Sequence, residues 1–133
     1  MKIYVSGKIT GLSESEVEEK FFTAKINLIK KGHFVMNPAI LGQNGGFEHS
    51  DYMHICFAMI DVCDVIWMQK DWQTSKGARE ELQYAVDYQK EVIYEDESTR
   101  EKDFPIMYEH PKNKSAWAKI AAGGGLRAQG GEE

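Results

Sequence analysis

Asp64-Val65-Ile66-Trp67-Met68 is followed by a polar stretch, Gln69 to Lys76, and then by apolar residues at Ala78, Leu82, Ala85 and Val86. After Asp64 the first segment is continuously apolar, as a strand covered on both faces must be. The last segment, residues 77–90, has the spacing of a helix with one buried side. Strand, loop, helix and a further apolar run at residues 91–94 make one β-α-β unit. The same alternation holds upstream. Residues 2–6 are β-branched and aromatic and stop at Gly7. Ser13 and Glu16 have capping-box spacing, Val17, Phe21, Ala24 and Leu28 recur with helical period, and Gly32 stands where the helix should end. Residues 33–36 form a second short strand closed by Asn37-Pro38, and residues 39–50 a loop. From Asp51 a helix is expected to turn Tyr52, Ile55, Met59, Ile60 and Cys63 inward. The alternation predicts an α/β three-layer sandwich with a doubly wound, flavodoxin- or Rossmann-like parallel sheet of four to five strands. Ligands of such sheets bind beyond the carboxyl ends of the strands, here the loops at residues 7–13, 37–50 and 69–77.

The chain has 133 residues, enough for one domain with its own core. Residues 1–95 carry the α/β pattern. Residues 96–133 read as a C-terminal extension, with a possible fifth strand at Ile106-Met107-Tyr108, a short helix over residues 115–122 and a glycine-rich end. The formal net charge of -5 lacks the basic stripe of a protein that binds polymeric nucleic acid. Cys56 and Cys63 are two helical turns apart, too far for a disulfide, and read as small core residues. No zinc-type Cys/His spacing is present, so neither a metal nor a cofactor is expected. The chain opens directly into a strand pattern and has no bilayer-length apolar run, which predicts a soluble cytoplasmic protein without a membrane partner.

The dinucleotide fingerprint, the P-loop and the nucleophile elbow are all absent. The stretch Trp72-Gln73-Thr74-Ser75-Lys76-Gly77-Ala78-Arg79-Glu80-Glu81 carries the most chemistry. A polar loop enters a helix at the carboxyl end of a strand, and the first backbone N–H groups, the Ser75 hydroxyl and Lys76 make a phosphate cradle. Ser75 reads as a helix N-cap, a phosphate contact, or both. Glu81, one turn in, is favoured as a carboxylate by the helix dipole and is either a nucleophile or a solvated first-turn acid, the role expected of Glu80. Trp72 either stacks on a base or packs over the sheet edge, and Tyr4 reads as core.

These residues resemble the signature of the nucleoside 2-deoxyribosyltransferase superfamily. Gly77, Glu81, Leu82, Tyr84 and Ala85 fit its helix motif. Ile3 to Gly7 with Gly11 is similar to its opening strand and ligand-facing loop, Asn37-Pro38 to the close of its second strand, and Asp64-Val65 to the start of its third. The Trp72–Glu81 run looks like that of a bacterial and phage branch, and the likeness covers about residues 1–95. It implies that Glu81 attacks C1′ of a nucleoside or nucleotide and forms a covalent glycosyl-enzyme, resolved by water or by a second base. It also implies a homodimer or larger assembly whose subunits complete each other's sites. Six positions before the Glu, members acting on nucleosides carry an acid, whereas 2′-deoxynucleoside 5′-monophosphate N-hydrolases carry a Ser; Ser75 points to a monophosphate. The implied binding set is Ser6, Gly7, Lys8, Gly11, Asn37, Trp72, Ser75 and Gly77. One position departs from the pattern: Cys56 stands where an Asp is usual. A thiol is a poor general acid–base at neutral pH, so Asp61 on the same helix, or His49, Asp51 or His54 near its start, is needed for that role.

Overall fold

The computed structural model describes residues 1–100. Four strands, β1 (Lys2–Ser6), β2 (Phe34–Met36), β3 (Val65–Met68) and β4 (Glu91–Tyr94), alternate with three helices, α1 (Glu14–Lys30), α2 (His49–Asp61) and α3 (Lys76–Asp87). All pairings are parallel and the strand order is β2-β1-β3-β4. This is an open, doubly wound α/β sheet, as expected. The expected fifth strand and the helix over residues 115–122 lie outside the described residues.

Alternation along the strands builds two core layers. In β1, Ile3 and Val5 pack with Phe21, Ala24 and Leu28 of α1, and Val65 of β3 joins them. Tyr4 faces the opposite side and packs with Ile66, Met68, Tyr94 and residues of α2 and α3. The sheet is therefore covered by α1 on one face and by α2 and α3 on the other. Right-handed crossovers give that result when the chain moves one way from β1 to β2 and the other way from β2 to β3.

The helix ends follow their sequence signals. The Ser13 hydroxyl accepts from the Glu16 N–H at 3.1 Å and the Glu16 carboxylate accepts from the Ser13 N–H at 2.8 Å. At the other end Gly32 has a φ of 91°, its N–H donates to the Ile29 carbonyl, and the His33 N–H reaches back to Leu28. That is a Schellman cap, and a glycine serves it without strain. Three expectations change. Helix α2 starts at His49, two residues earlier than expected, with the Asp51 carboxylate accepting from the Glu48 N–H. Its buried residues are Met53, Cys56, Met59 and Ile60, while Ile55 is 44% exposed. Apolar side chains flank both possible stripes of this helix, and packing against α3 chooses between them. In α3 the buried set contains Glu81 beside Ala78, Leu82 and Ala85, with Val86 only half-buried.

Candidate active site

Beyond the carboxyl ends of the strands lies a cleft of about 620 Å³. Its walls come from all three expected loops: Gly7, Ile9 and Thr10 after β1, residues 38–47 after β2, and Ser75 and Gly77 after β3. The first half of α2 supplies His49, Tyr52, Met53 and Cys56. The cleft sits where β1 separates β2 from β3, the point at which the winding reverses and ligands of such sheets bind.

Glu81 forms the floor. It is 4% exposed, yet it lines the cleft. Its carboxylate accepts a 2.6 Å hydrogen bond from the Ser6 hydroxyl and a 2.8 Å one from the Tyr4 hydroxyl, one on each oxygen. Strand geometry produces this pair. Tyr4 and Ser6 are two residues apart and so share the face that α3 covers. The Cys56 thiol completes the surround. Burial pushes the Glu81 carboxyl up to about 7, against the hydrogen bonds from Ser6, Tyr4 and Cys56 and the nearby charge of His49, which pull it down. The helix dipole therefore does not keep this carboxylate in the ordinary range, because the group is desolvated rather than at a solvent-facing mouth. Burial and the Glu81 charge also push the Cys56 thiol up to about 12. Cys56 is thus buried as expected, but it lines the cleft and stays a thiol, whereas Cys63 is core; both are free.

Ser75 is the helix N-cap that the sequence suggested, and it also lines the cleft. Its hydroxyl oxygen accepts from the Ala78 N–H at 3.1 Å, capping α3, and the side chain lines the cleft. The N–H groups of Lys76 and Gly77, in the first turn of α3, have no intrahelical acceptor. Gly77 lines the cleft against His49 and Met53. Gly7 lies so close to Gln69 that a Cβ there would fall within 2.8 Å of the Gln69 Cδ.

Other expected site residues sit elsewhere. Trp72 is fully buried and donates from Nε1 to the Thr99 hydroxyl at 3.0 Å, so it packs at the sheet end and cannot stack on a base. Asp61 is in the last turn of α2, more than a turn beyond Cys56. There it accepts a 2.6 Å hydrogen bond from the Tyr84 hydroxyl, away from the cleft. Asn37 caps the 3₁₀ turn Pro38–Leu41 by accepting from the Ala39 N–H at 2.9 Å. Lys8 is not a cleft residue; its N–H donates to Asp71 and its carbonyl accepts from Lys20. Gly11, with a φ of 93°, turns the loop behind the cleft wall. Of the alternatives to Asp61, only His49 lines the cleft. Glu80, expected to be merely solvated, pairs with it at 2.9 Å. Sequence reasoning missed Tyr4 as a partner of Glu81 and also the cleft residues Thr10, Gln43, Asn44, Phe47 and Tyr52.

Among the described residues no three His, Cys, Asp or Glu side chains converge as metal ligands, and no helix is long and apolar enough to cross a membrane.

Fold and cleft together define an α/β domain with a parallel sheet and a buried carboxylate at its switch point. Residues 1–94 match a family described as a domain of unknown function (DUF4406), and the chain belongs to that family. No curated protein and no solved structure matches it.

Proposed function

We propose that the protein cleaves or transfers the N-glycosidic bond of a nucleoside 5′-monophosphate or nucleoside, with Glu81 as the nucleophile at C1′. The observation that carries this reading is the Glu81 carboxylate on the cleft floor, held by two hydroxyl donors. Fixed in this way, it needs no reorganisation before attack, and each oxygen keeps a lone pair for C1′. A carboxyl near 7 is about half ionised at neutral pH. A desolvated carboxylate is also a stronger nucleophile than a hydrated one.

Among the cleft-lining residues Glu81 is the one carboxylate, and Glu80 at the rim is paired with His49. A 5′-phosphate at Ser75 and the start of α3 would place the sugar over Glu81 and the base among Gln43, Asn44, Phe47 and Tyr52. The likeness of Gly77, Glu81, Leu82, Tyr84 and Ala85 to the helix motif of the nucleoside 2-deoxyribosyltransferase superfamily supports the same reading. A cytoplasmic homodimer belongs to it as well.

One observation favours a different outcome. The protonated Cys56 thiol stands beside Glu81 where the resembling enzymes carry an Asp, which fits a nucleotide-binding module without turnover. Incubation with each nucleoside, 2′-deoxynucleoside and 5′-monophosphate, with and without an acceptor base, separates the two by chromatography of free bases. The proposal expects release from the wild type and none from Glu81→Gln. Binding of a nucleotide with no release from any substrate would favour the binding module.

A further inference from the structure

We propose that His49, oriented by Glu80, is the acid that protonates the departing base, the place left open by Cys56; this rests on the glycosidic reading above. The imidazole lines the same cleft as Glu81 and acts electrostatically on its carboxylate. It stands at the first position of α2 and packs over Gly77 at the start of α3, where a Cβ would lie 3.6 Å from the His49 Cε1. Glu80 is the next acid along α3 from that contact, and its Oε1 lies 2.9 Å from His49 Nε2. The two helix starts therefore bring a histidine and a carboxylate together at the rim of the cleft, 31 positions apart in sequence.

A histidine tied through one ring nitrogen to a carboxylate is fixed in orientation and tautomer, and the carboxylate stabilises the imidazolium. Here Nε2 is the tied nitrogen. Nδ1 has no hydrogen-bond partner among the described residues and is available to a ligand. The Tyr4 and Ser6 hydroxyls donate to Glu81 itself, and the Cys56 proton is held too tightly to be passed on at neutral pH.

In the first step the Glu81 carboxylate forms a bond to C1′, the C1′–N bond breaks, and its electron pair stays with the base. The proton on His49 Nδ1 moves to that base, leaving neutral imidazole. In the second step water attacks C1′ of the glycosyl ester. One water proton goes to His49, the oxygen goes to the sugar, and Glu81 leaves as carboxylate. Atoms and charge balance, and the enzyme returns to its starting state. Glu80 is a positioning residue in this scheme and does not exchange a proton with substrate.

The test compares natural substrates with one whose leaving group needs no proton. Wild type, His49→Gln and Glu80→Gln are assayed on 2′-deoxynucleoside 5′-monophosphates and on 4-nitrophenyl 2-deoxyribofuranoside 5-phosphate. His49→Gln is expected to slow release of natural bases by about 100-fold or more. In the first turnover, read as a pre-steady-state burst, it should release 4-nitrophenolate within about threefold of wild type, since a stable anion leaves unaided. Glu80→Gln should show the same pattern with a smaller loss. Both residues are partly exposed, so neither change threatens the core. Equal first-turnover losses on both substrates, or no loss on natural ones, would overturn the role of His49 while leaving Glu81 in place. A wild type that cleaves neither substrate would overturn both proposals.

Discussion

Glu81 is under two opposing demands. Burial favours its neutral acid, while the proposed attack on C1′ needs the anion. The compromise has a consequence for stability. The folded-state value is raised to about 7 from an ordinary 4.5. Below 4.5 both folded and unfolded chains hold the proton, and this residue carries no penalty. Between 4.5 and 7 the unfolded chain ionises first, so the folded state loses stability as pH rises. The full loss is on the order of 3 kcal/mol and is complete above about pH 7. Glu81→Gln should remove this dependence. Thermal unfolding at pH 5 and pH 8 should show a larger drop for wild type than for the variant, and equal drops would contradict the burial of the charge. Gly7 gives a second prediction at this scale. A methyl group there meets the Gln69 side chain, so Gly7→Ala should destabilise by about 1–3 kcal/mol, and Gly7→Ala with Gln69→Ala should recover part of it. Denaturant titration of the single and double variants checks this.

Two helix starts govern what the cleft can hold. Ser75 caps α3 and lines the cleft, and the cap and the proposed phosphate contact separate by substitution. Ser75→Ala should cost about 1 kcal/mol of stability with the cap gone. Ser75→Asp keeps the cap but sets a negative charge beside the phosphate, and should lower kcat/KM for a monophosphate by about tenfold or more while sparing the nucleoside. Calorimetry with the two substrates' kinetics checks both halves. Much of this level was legible in the sequence, because caps are local. Ser13 with Glu16, Gly32 and Ser75 each act on groups three or four residues away, and each does in the structure what its neighbours imply. The stripe of α2 was legible in its second half, where Met59, Ile60 and Cys63 are buried as expected, and not in its first. Tyr52 and Ile55 fit an inward face as well as Met53 and Cys56 do, and only contact with α3, which the local pattern does not contain, selects the latter pair.

At the scale of the whole molecule, strand order creates the site. Reversal of winding at β1 opens the cleft, and the loops after β1, β2 and β3 wall it. That a cleft would open there was readable from the alternation of strands and helices, and that Glu81 and Ser75 would line it from the residues of the Trp72–Glu81 run and their resemblance. That Tyr4 and Ser6 hold Glu81 was not. They are 77 and 75 positions from it, and their pairing depends on α3 crossing the face to which β1 turns them. Trp72, Asp61 and Lys8 failed as site residues for the converse reason. Each lies close in sequence to a site element, and packing turns each away from the cleft. The edge strand β2 bears on assembly. Val35 packs toward α1, so Phe34, 73% exposed, and Met36 face the side that α2 and α3 leave bare at this edge. A homodimer seated there should dissociate on Phe34→Glu. Sedimentation equilibrium should give a dimer for wild type and a weaker one for the variant. A wild-type monomer at all concentrations would contradict the assembly.

The most direct measurement is the mass of the protein during turnover. A 2′-fluoro nucleoside 5′-monophosphate forms a slow glycosyl ester, because fluorine destabilises the oxocarbenium-like transition state of hydrolysis. Mass spectrometry should show the protein heavier by one fluorinated sugar phosphate, with the added mass on the peptide containing Glu81 and absent from Glu81→Gln. Base release without any adduct, or an adduct on another residue, would contradict Glu81 as the nucleophile.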